Sequence, residues 1–210
     1  MGPLKLSFWQ LFLSGGPLLW PILLCSVFAL AIILEKIIYF RKIKINSQEF
    51  LRDILEKMKH HQVKEALEIC EKILNPLANI LKAGILKYDR PRLQISEAMQ
   101  DASLYEIPRL ERNLNALATI AHISPLLGLL GTVVGMINCF QVIQAKSSVF
   151  AAVSPLDLSA GIWEALLSTV AGLLVAIPAF IAYNYFVGRV NNFILEMEKA
   201  SAELVNFLTE

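Results

Sequence analysis

Charged residues and cysteines are both scarce in this 210-residue chain. Asp, Glu, Lys and Arg make up 18% of it and hydrophobic residues 56%, whereas a soluble domain carries about 25% charged residues. This composition excludes a soluble single domain. The net charge of +1 excludes the concentrated basic surface of a nucleic-acid-binding protein. The three cysteines lack the spacing of a disulfide framework or a metal site, and the sequence predicts no metal and no cofactor.

Three stretches are long and apolar enough to cross a membrane, which takes about 20 mostly apolar residues. The predicted transmembrane helices are residues 17–40, 119–143 and 160–187. Near the end of the first one, the long side chains of Glu35 and Lys36 are expected to reach the membrane interface.

The distribution of basic residues predicts how the chain is oriented. Fourteen of the 19 Lys and Arg residues lie between Arg41 and Arg112, and basic segments stay on the cytoplasmic side. Residues 41–118 are therefore predicted to form a cytoplasmic domain, and residues 188–210 a cytoplasmic amphipathic helix. Residues 1–16, a candidate interfacial amphipathic helix, and the loop 144–159 are predicted to be external.

The polar segments have the apolar periodicity of helices. Asn46 and Glu49 resemble a capping box, and Asn75-Pro76 is a helix breaker. From Ser96 the helical pattern has no strong stop before the second span. The fold class that follows is an all-α membrane protein with three transmembrane helices, of which the second and third extend into a helical cytoplasmic domain.

Small residues mark one face of each of the last two spans. Such faces let membrane helices approach closely, and the prolines at 125 and 178 are expected to kink their helices. The predicted packing residues are Ser124, Gly128, Gly131, Gly135 and Gly172.

The third span also carries an acid and two hydroxyl groups. Glu164, Ser168 and Gly172 recur at every fourth position, with Thr169 beside them. A charged carboxylate in mid-membrane costs about 2.5–3.5 kcal/mol by insertion scales, so such a group is a candidate functional residue. The alternative is that Glu164 lies at the membrane interface and only extends its carboxylate into water, without a role in function. Together with Thr132 of the second span, these residues are predicted to line a pore or proton pathway.

Two blocks of sequence carry a specific resemblance. They are Ser124-Pro-Leu-Leu-Gly-Leu-Leu-Gly-Thr-Val-Val-Gly-Met136 and Gly161-Ile-Trp-Glu-Ala-Leu-Leu-Ser-Thr-Val-Ala-Gly-Leu-Leu-Val-Ala-Ile-Pro-Ala179. In this order and spacing they resemble the MotA/TolQ/ExbB proton-channel family, and its ExbB branch most. The family's span-three acid matches Glu164, and its pore threonines match Thr132 and Thr169.

The resemblance implies more than the residues alone do. It implies a homopentamer in the bacterial inner membrane, with a periplasmic N-terminus and a cytoplasmic C-terminus. The helical bundle would surround a central pore that holds the single-span helices of an ExbD/TolR-type partner, each with an essential Asp. Proton flow would drive relative motion of the two components and energise a TonB-type protein for transport across the outer membrane.

Three alternatives stay open from the sequence. One is a TolQ-type subunit of the Tol-Pal envelope system, and another is a structural membrane scaffold without ion flux. The third, an intramembrane hydrolase using Ser124 or Ser168 with His122, is disfavoured because the chain has no Gly-x-Ser-x-Gly motif.

Overall fold

The computed structural model describes residues 16–147 and 154–209, and in these ranges every regular element is an α-helix. The elements are α1 Leu19–Lys42, α2 Ser47–Lys59, α3 Val63–Lys72, α4 Pro76–Ile85, α5 Arg92–Glu111, α6 Leu114–Ser147 and α7 Pro155–Thr209. Residues 1–15 of the predicted N-terminal segment and residues 148–153 of the predicted loop 144–159 lie outside the described residues.

Within the described residues, three helical stretches are long and apolar enough to cross a membrane, and they cover α1 and nearly all of α6 and α7. Their apolar runs follow the first, second and third predicted spans. The all-helical class with three apolar helices is therefore confirmed.

The described residues form two compact units. The apolar unit contains residues 16–34, 114–147 and 154–184, which include most of the predicted spans. The polar unit contains residues 35–113 and 185–209.

The polar unit has its own core. In it α4, α5 and the end of α7 meet at Gly84, where an added Cβ would lie 2.5 Å from Met99 Sδ and 3.4 Å from Leu204 Cδ2. The apolar stripe of the C-terminal helix is thus buried within the same chain. Cys70 belongs to this core, and burial raises the pKa of its thiol to about 11. The fully buried side chains include Ile54, Leu77, Leu81, Ile85, Ile95, Leu110 and Leu204.

The helical path before the second span has a stop that the sequence analysis missed. Instead of one helix from Ser96 onward, α5 ends at Glu111 and α6 begins at Leu114. Asn113 lies between them with φ of 62°, a left-handed conformation that Asn tolerates better than most residues. Its side-chain amide donates to Glu35 Oε2 at 2.7 Å.

Lys36 does not reach solvent, contrary to the expectation from the sequence. It is 1% exposed, and its Nζ donates to the Leu110 carbonyl at 2.8 Å. Leu110 lies in the last turn of α5, where carbonyls lack partners within the helix. The lysine is buried because it supplies the hydrogen bond that the helix end needs.

Two asparagines at helix starts behave differently. The Asn75 carbonyl Oδ1 accepts from Leu77 N at 2.7 Å, its Nδ2 donates to Ile43 O at 2.6 Å, and its side chain is buried. Asn46 makes no side-chain cap. Its Nδ2 donates instead to the Glu49 carboxylate at 3.3 Å, so the predicted capping box is wrong.

Replacing Asn75 by Ala removes a cap and leaves two buried backbone groups without their partner. We expect the free energy of unfolding to fall by about 1–2 kcal/mol. The matched variant Asn46→Ala removes no cap and is expected to cost less than about 0.5 kcal/mol. Thermal unfolding in detergent, followed by circular dichroism, compares the two. Equal shifts in Tm would contradict the assignment of Asn75 as the functional cap.

Candidate functional site

The contact between α6 and α7 in the apolar unit consists of backbone and small side chains. An added Cβ at Gly128 would lie 3.0 Å from both Ser168 O and Thr169 Cα. At Gly172 it would lie 2.5 Å from Ser124 O. The two helices therefore touch directly, with no room for a side chain at either glycine.

The same contact continues toward the C-terminal end of α6. An added Cβ at Gly135 would lie 2.9 Å from Ala165 Cβ and from Gly161 O, and one at Gly131 would lie 2.5 Å from Ser168 Cβ. Ser124 is fully buried here. All five predicted packing residues thus lie in one interface within a single chain.

Gly161 and Cys139 extend this interface, and Gly161 was not among the predicted packing residues. An added Cβ at Gly161 would lie 2.5 Å from Cys139 Sγ and 3.0 Å from Gly135 O. The signal was present, because Gly161, Ala165, Thr169 and Gly172 are small residues three or four positions apart.

The hydroxyl groups of this region donate to backbone carbonyls. Ser168 Oγ donates to Ala165 O at 2.7 Å, and Gly128 O lies 3.4 Å from the same oxygen, so the single hydroxyl hydrogen is directed mainly to Ala165. Thr169 Oγ1 donates to the same Gly128 carbonyl at 3.1 Å. The Gly128 carbonyl of α6 therefore accepts from Thr169 of α7 and lies close to the Ser168 oxygen.

Of the predicted pore-lining hydroxyls, Thr132 and Thr169 remain partly exposed. Thr132 lies directly after Gly131, at the edge of the contact, and its Oγ1 donates to Leu129 O at 2.6 Å. Ser168 differs because only 1% of it is exposed. A group facing a lumen is open in the single subunit, so the structure places Ser168 in the helix contact and not on a pore surface.

Glu164 lies on α7 at the edge of the same contact and is partly exposed. Its carboxyl group lies against the backbone of Gly16, directly before α1. Residues 17–34, 119–143 and 160–187 contain no Lys or Arg. These residues therefore offer this carboxylate no Lys or Arg to offset the cost of burying a charge in lipid.

Pro125 and Pro178 lie inside α6 and α7, and both helices continue on either side of them. Each proline lacks the amide hydrogen that would bond to the carbonyl four residues earlier. Both positions thus interrupt the hydrogen-bond ladder without ending the helix.

The hydrolase alternative finds no support in the geometry. Ser124 Oγ donates to Ile120 O at 2.8 Å, and His122 Nδ1 bonds to Ala118 O at 2.6 Å. Neither Ser124 nor Ser168 is paired with a base in the described ranges. Residues 16–147 and 154–209 also contain no cluster of His, Cys, Asp and Glu that could hold a metal ion.

Comparison with known proteins places this chain beside membrane transport subunits. Residues 72–199 match the MotA/TolQ/ExbB proton channel family. The chain is 30% identical over 190 residues to a biopolymer transport protein ExbB homolog of Methanothermobacter thermautotrophicus, covering 90% of this chain and 66% of that protein. It is 30% identical over 174 residues to the ExbB-like 3 protein of Synechocystis sp., covering 83% and 82%.

A relative with another name is also similar. The Tol-Pal system protein TolQ of Pseudomonas aeruginosa is 38% identical over 122 residues, covering 52% of this chain. The chain spans about half of that protein's length, 51%.

From the contact between α6 and α7 we predict that alanine substitutions at two glycines of α7 change the stability of the protein in opposite directions. Gly172→Ala forces a methyl group against the Ser124 carbonyl, and we expect it to lower stability by about 1–3 kcal/mol. Gly188→Ala is the matched control, because an added Cβ there meets nothing within 4 Å. It is expected to raise stability by about 0.5–1 kcal/mol through helix propensity.

The Tm of each variant in detergent, compared with that of the unmodified protein, shows whether the substitution raises or lowers stability. An increase for both variants would mean that the helices are not in backbone contact at Gly172.

Proposed function

We propose a function from the premise that this chain belongs to the MotA/TolQ/ExbB proton channel family. The family consists of channel subunits and not of enzymes, and the three apolar helices make the chain a multi-pass membrane protein. The proposal is that the chain is a proton-channel subunit that converts the proton-motive force into mechanical work. It acts in the bacterial inner membrane, with its N-terminus periplasmic and its C-terminus cytoplasmic.

One observation carries the proposal more than any other. A partly exposed carboxyl group, Glu164, lies on the same helix as the Thr169 hydroxyl, in spans that hold no Lys or Arg between 119 and 143 or between 160 and 187. Ionisable groups inside spans are expensive and usually serve ion or proton pathways.

The proposed assembly is a homopentamer around a central pore, in contact with membrane lipid. Thr132 and Thr169 form the polar positions of the pore wall, and Glu164 belongs to the proton pathway. Ser168 enters this proposal as a packing residue, because it is buried in the single chain. The small-residue contact keeps α6 and α7 together as a rigid wall element.

The proposed partner is an ExbD/TolR-type subunit whose single span carries an Asp. Each elementary charge that moves through 100 mV supplies about 2.3 kcal/mol. This energy is enough to shift a helix between neighbouring positions on an apolar wall. The output of the motion is the energising of a TonB-type protein for transport across the outer membrane.

A TolQ-type role in the Tol-Pal system is the second candidate, and the 38% identity to a TolQ protein over 122 residues favours it. Expression in strains that lack either exbB or tolQ separates the two roles. Rescue of TonB-dependent uptake supports the first role, and rescue of envelope integrity supports the second.

Replacing Glu164 by Gln tests the proton pathway. In proteoliposomes that contain the chain and an ExbD-type subunit, we expect proton influx under an imposed gradient to fall by about tenfold or more. Gln keeps the size of the side chain but cannot exchange a proton. The matched variant Glu203→Gln makes the same change on the exposed surface of α7 in the polar unit and is expected to leave the influx unchanged.

Two results would count against the proposal. Full influx in the Glu164→Gln variant would remove Glu164 from the pathway. Absence of partner-dependent influx in the unmodified chain would favour a structural scaffold without ion flux.

A further inference from the structure

The residue that packs against Glu164 belongs to the turn that leads into α1. Gly16 has φ of +74°, and its carbonyl accepts from Leu19 N at 3.3 Å. The left-handed conformation favours glycine, and this bond closes the turn directly before α1.

The outer half of the Glu164 side chain occupies the space where another residue would have a Cβ. An added Cβ at Gly16 would lie 2.7 Å from Glu164 Cδ and 3.1 Å from Cγ, and it would overlap Oε1. The carboxyl group thus lies directly on the backbone of the turn before α1.

Leu18 holds this turn near α6. Its Cδ1 lies 3.9 Å from the position of an added Cβ at Gly131, where Ser168 is the other neighbour. The segment 16–18 therefore approaches both α6 and α7, at Gly131 and at Glu164. The turn before α1 thus lies close to both helices that form the small-residue contact.

The obstacle at Gly16 differs in kind from the obstacles along the α6–α7 contact. At Gly128 and Gly172 an added Cβ meets backbone atoms of the facing helix, so the helices themselves would have to move. At Gly16 it meets the end of a flexible side chain, which turns away at low cost. A side chain at position 16 would therefore displace the carboxyl group and leave the helix packing in place.

We propose that Gly16 is a positioning residue for Glu164: its missing side chain lets the carboxyl group lie against the turn before α1 of the same subunit. The role in proton movement rests on the proposed function, whereas the contact itself does not. The turn before the first helix, which has no Asp, Glu, Lys, Arg or His between 17 and 34, thereby takes part in setting the proton pathway.

A cysteine pair tests the contact without any measurement of proton flux. In a background with Cys25→Ser, Cys70→Ser and Cys139→Ala, the pair Gly16→Cys and Glu164→Cys is expected to form a disulfide under mild oxidation. The control pair is Gly16→Cys with Ala165→Cys, because Ala165 faces Gly135 of α6. A disulfide in the control pair alone, or in neither pair, would overturn the proposal.

A double-mutant cycle tests the role of the contact. Gly16→Ala is expected to lower partner-dependent proton influx by about tenfold, because small displacements of a reacting group are costly. In a Glu164→Asp background the side chain is one methylene shorter, so the same Gly16→Ala change is expected to cost less than about twofold. The backbone strain of Ala at a positive φ is common to both backgrounds and cancels in the cycle.

The possible outcomes separate the two proposals. Equal losses from Gly16→Ala in both backgrounds would overturn the positioning role, even where the disulfide forms. Full influx in Glu164→Gln would instead overturn the part of Glu164 in the proton pathway and leave the disulfide result valid.

Discussion

No hydrophobic effect draws two apolar helices together inside a bilayer, so α6 and α7 depend on direct contact between their backbones. Gly128, Gly135 and Gly172 supply it, with neighbouring atoms of the facing helix 2.5–3.0 Å from where a Cβ would stand. This closeness brings the Ser168 and Thr169 hydroxyls to the Gly128 carbonyl. The positions of the polar groups in the apolar unit thus follow from the absence of side chains opposite them.

Much of this contact was predictable from the sequence, because small residues three or four positions apart identify a close helix face without any knowledge of the partner. The three spans were predictable for a similar reason, since length and apolar character are local properties. Pro125 and Pro178 each remove a hydrogen bond within their helix, and α6 and α7 continue past them. The kinks expected at these two positions stay a prediction.

Two of the features that the sequence did not predict depend on residues far apart in the chain. The stop between α5 and α6 rests on Asn113 and Lys36, whose partners Glu35 and Leu110 lie 78 and 74 positions away. Lys36 was expected at the interface because long cations usually reach water. In the structure Lys36 donates instead to the Leu110 carbonyl, which has no partner within its own helix. Gly16 is a similar case, because only the fold shows that Glu164 lies against it.

The hydrogen-bond directions limit what the proposed pore wall can do. Thr132 and Thr169 both direct their hydroxyl hydrogens to backbone carbonyls of the same chain. A hydroxyl that donates in this way still has oxygen lone pairs, which accept a hydrogen bond. Such a wall accepts from a protonated carboxyl group of a partner helix but gives no donor to an ionised one. The apolar surroundings raise the cost of the ionised form further. The wall therefore favours a partner carboxyl group that stays protonated as it moves along the wall. An ionised carboxylate is stabilised only where water or a rotated hydroxyl donates a hydrogen bond to it.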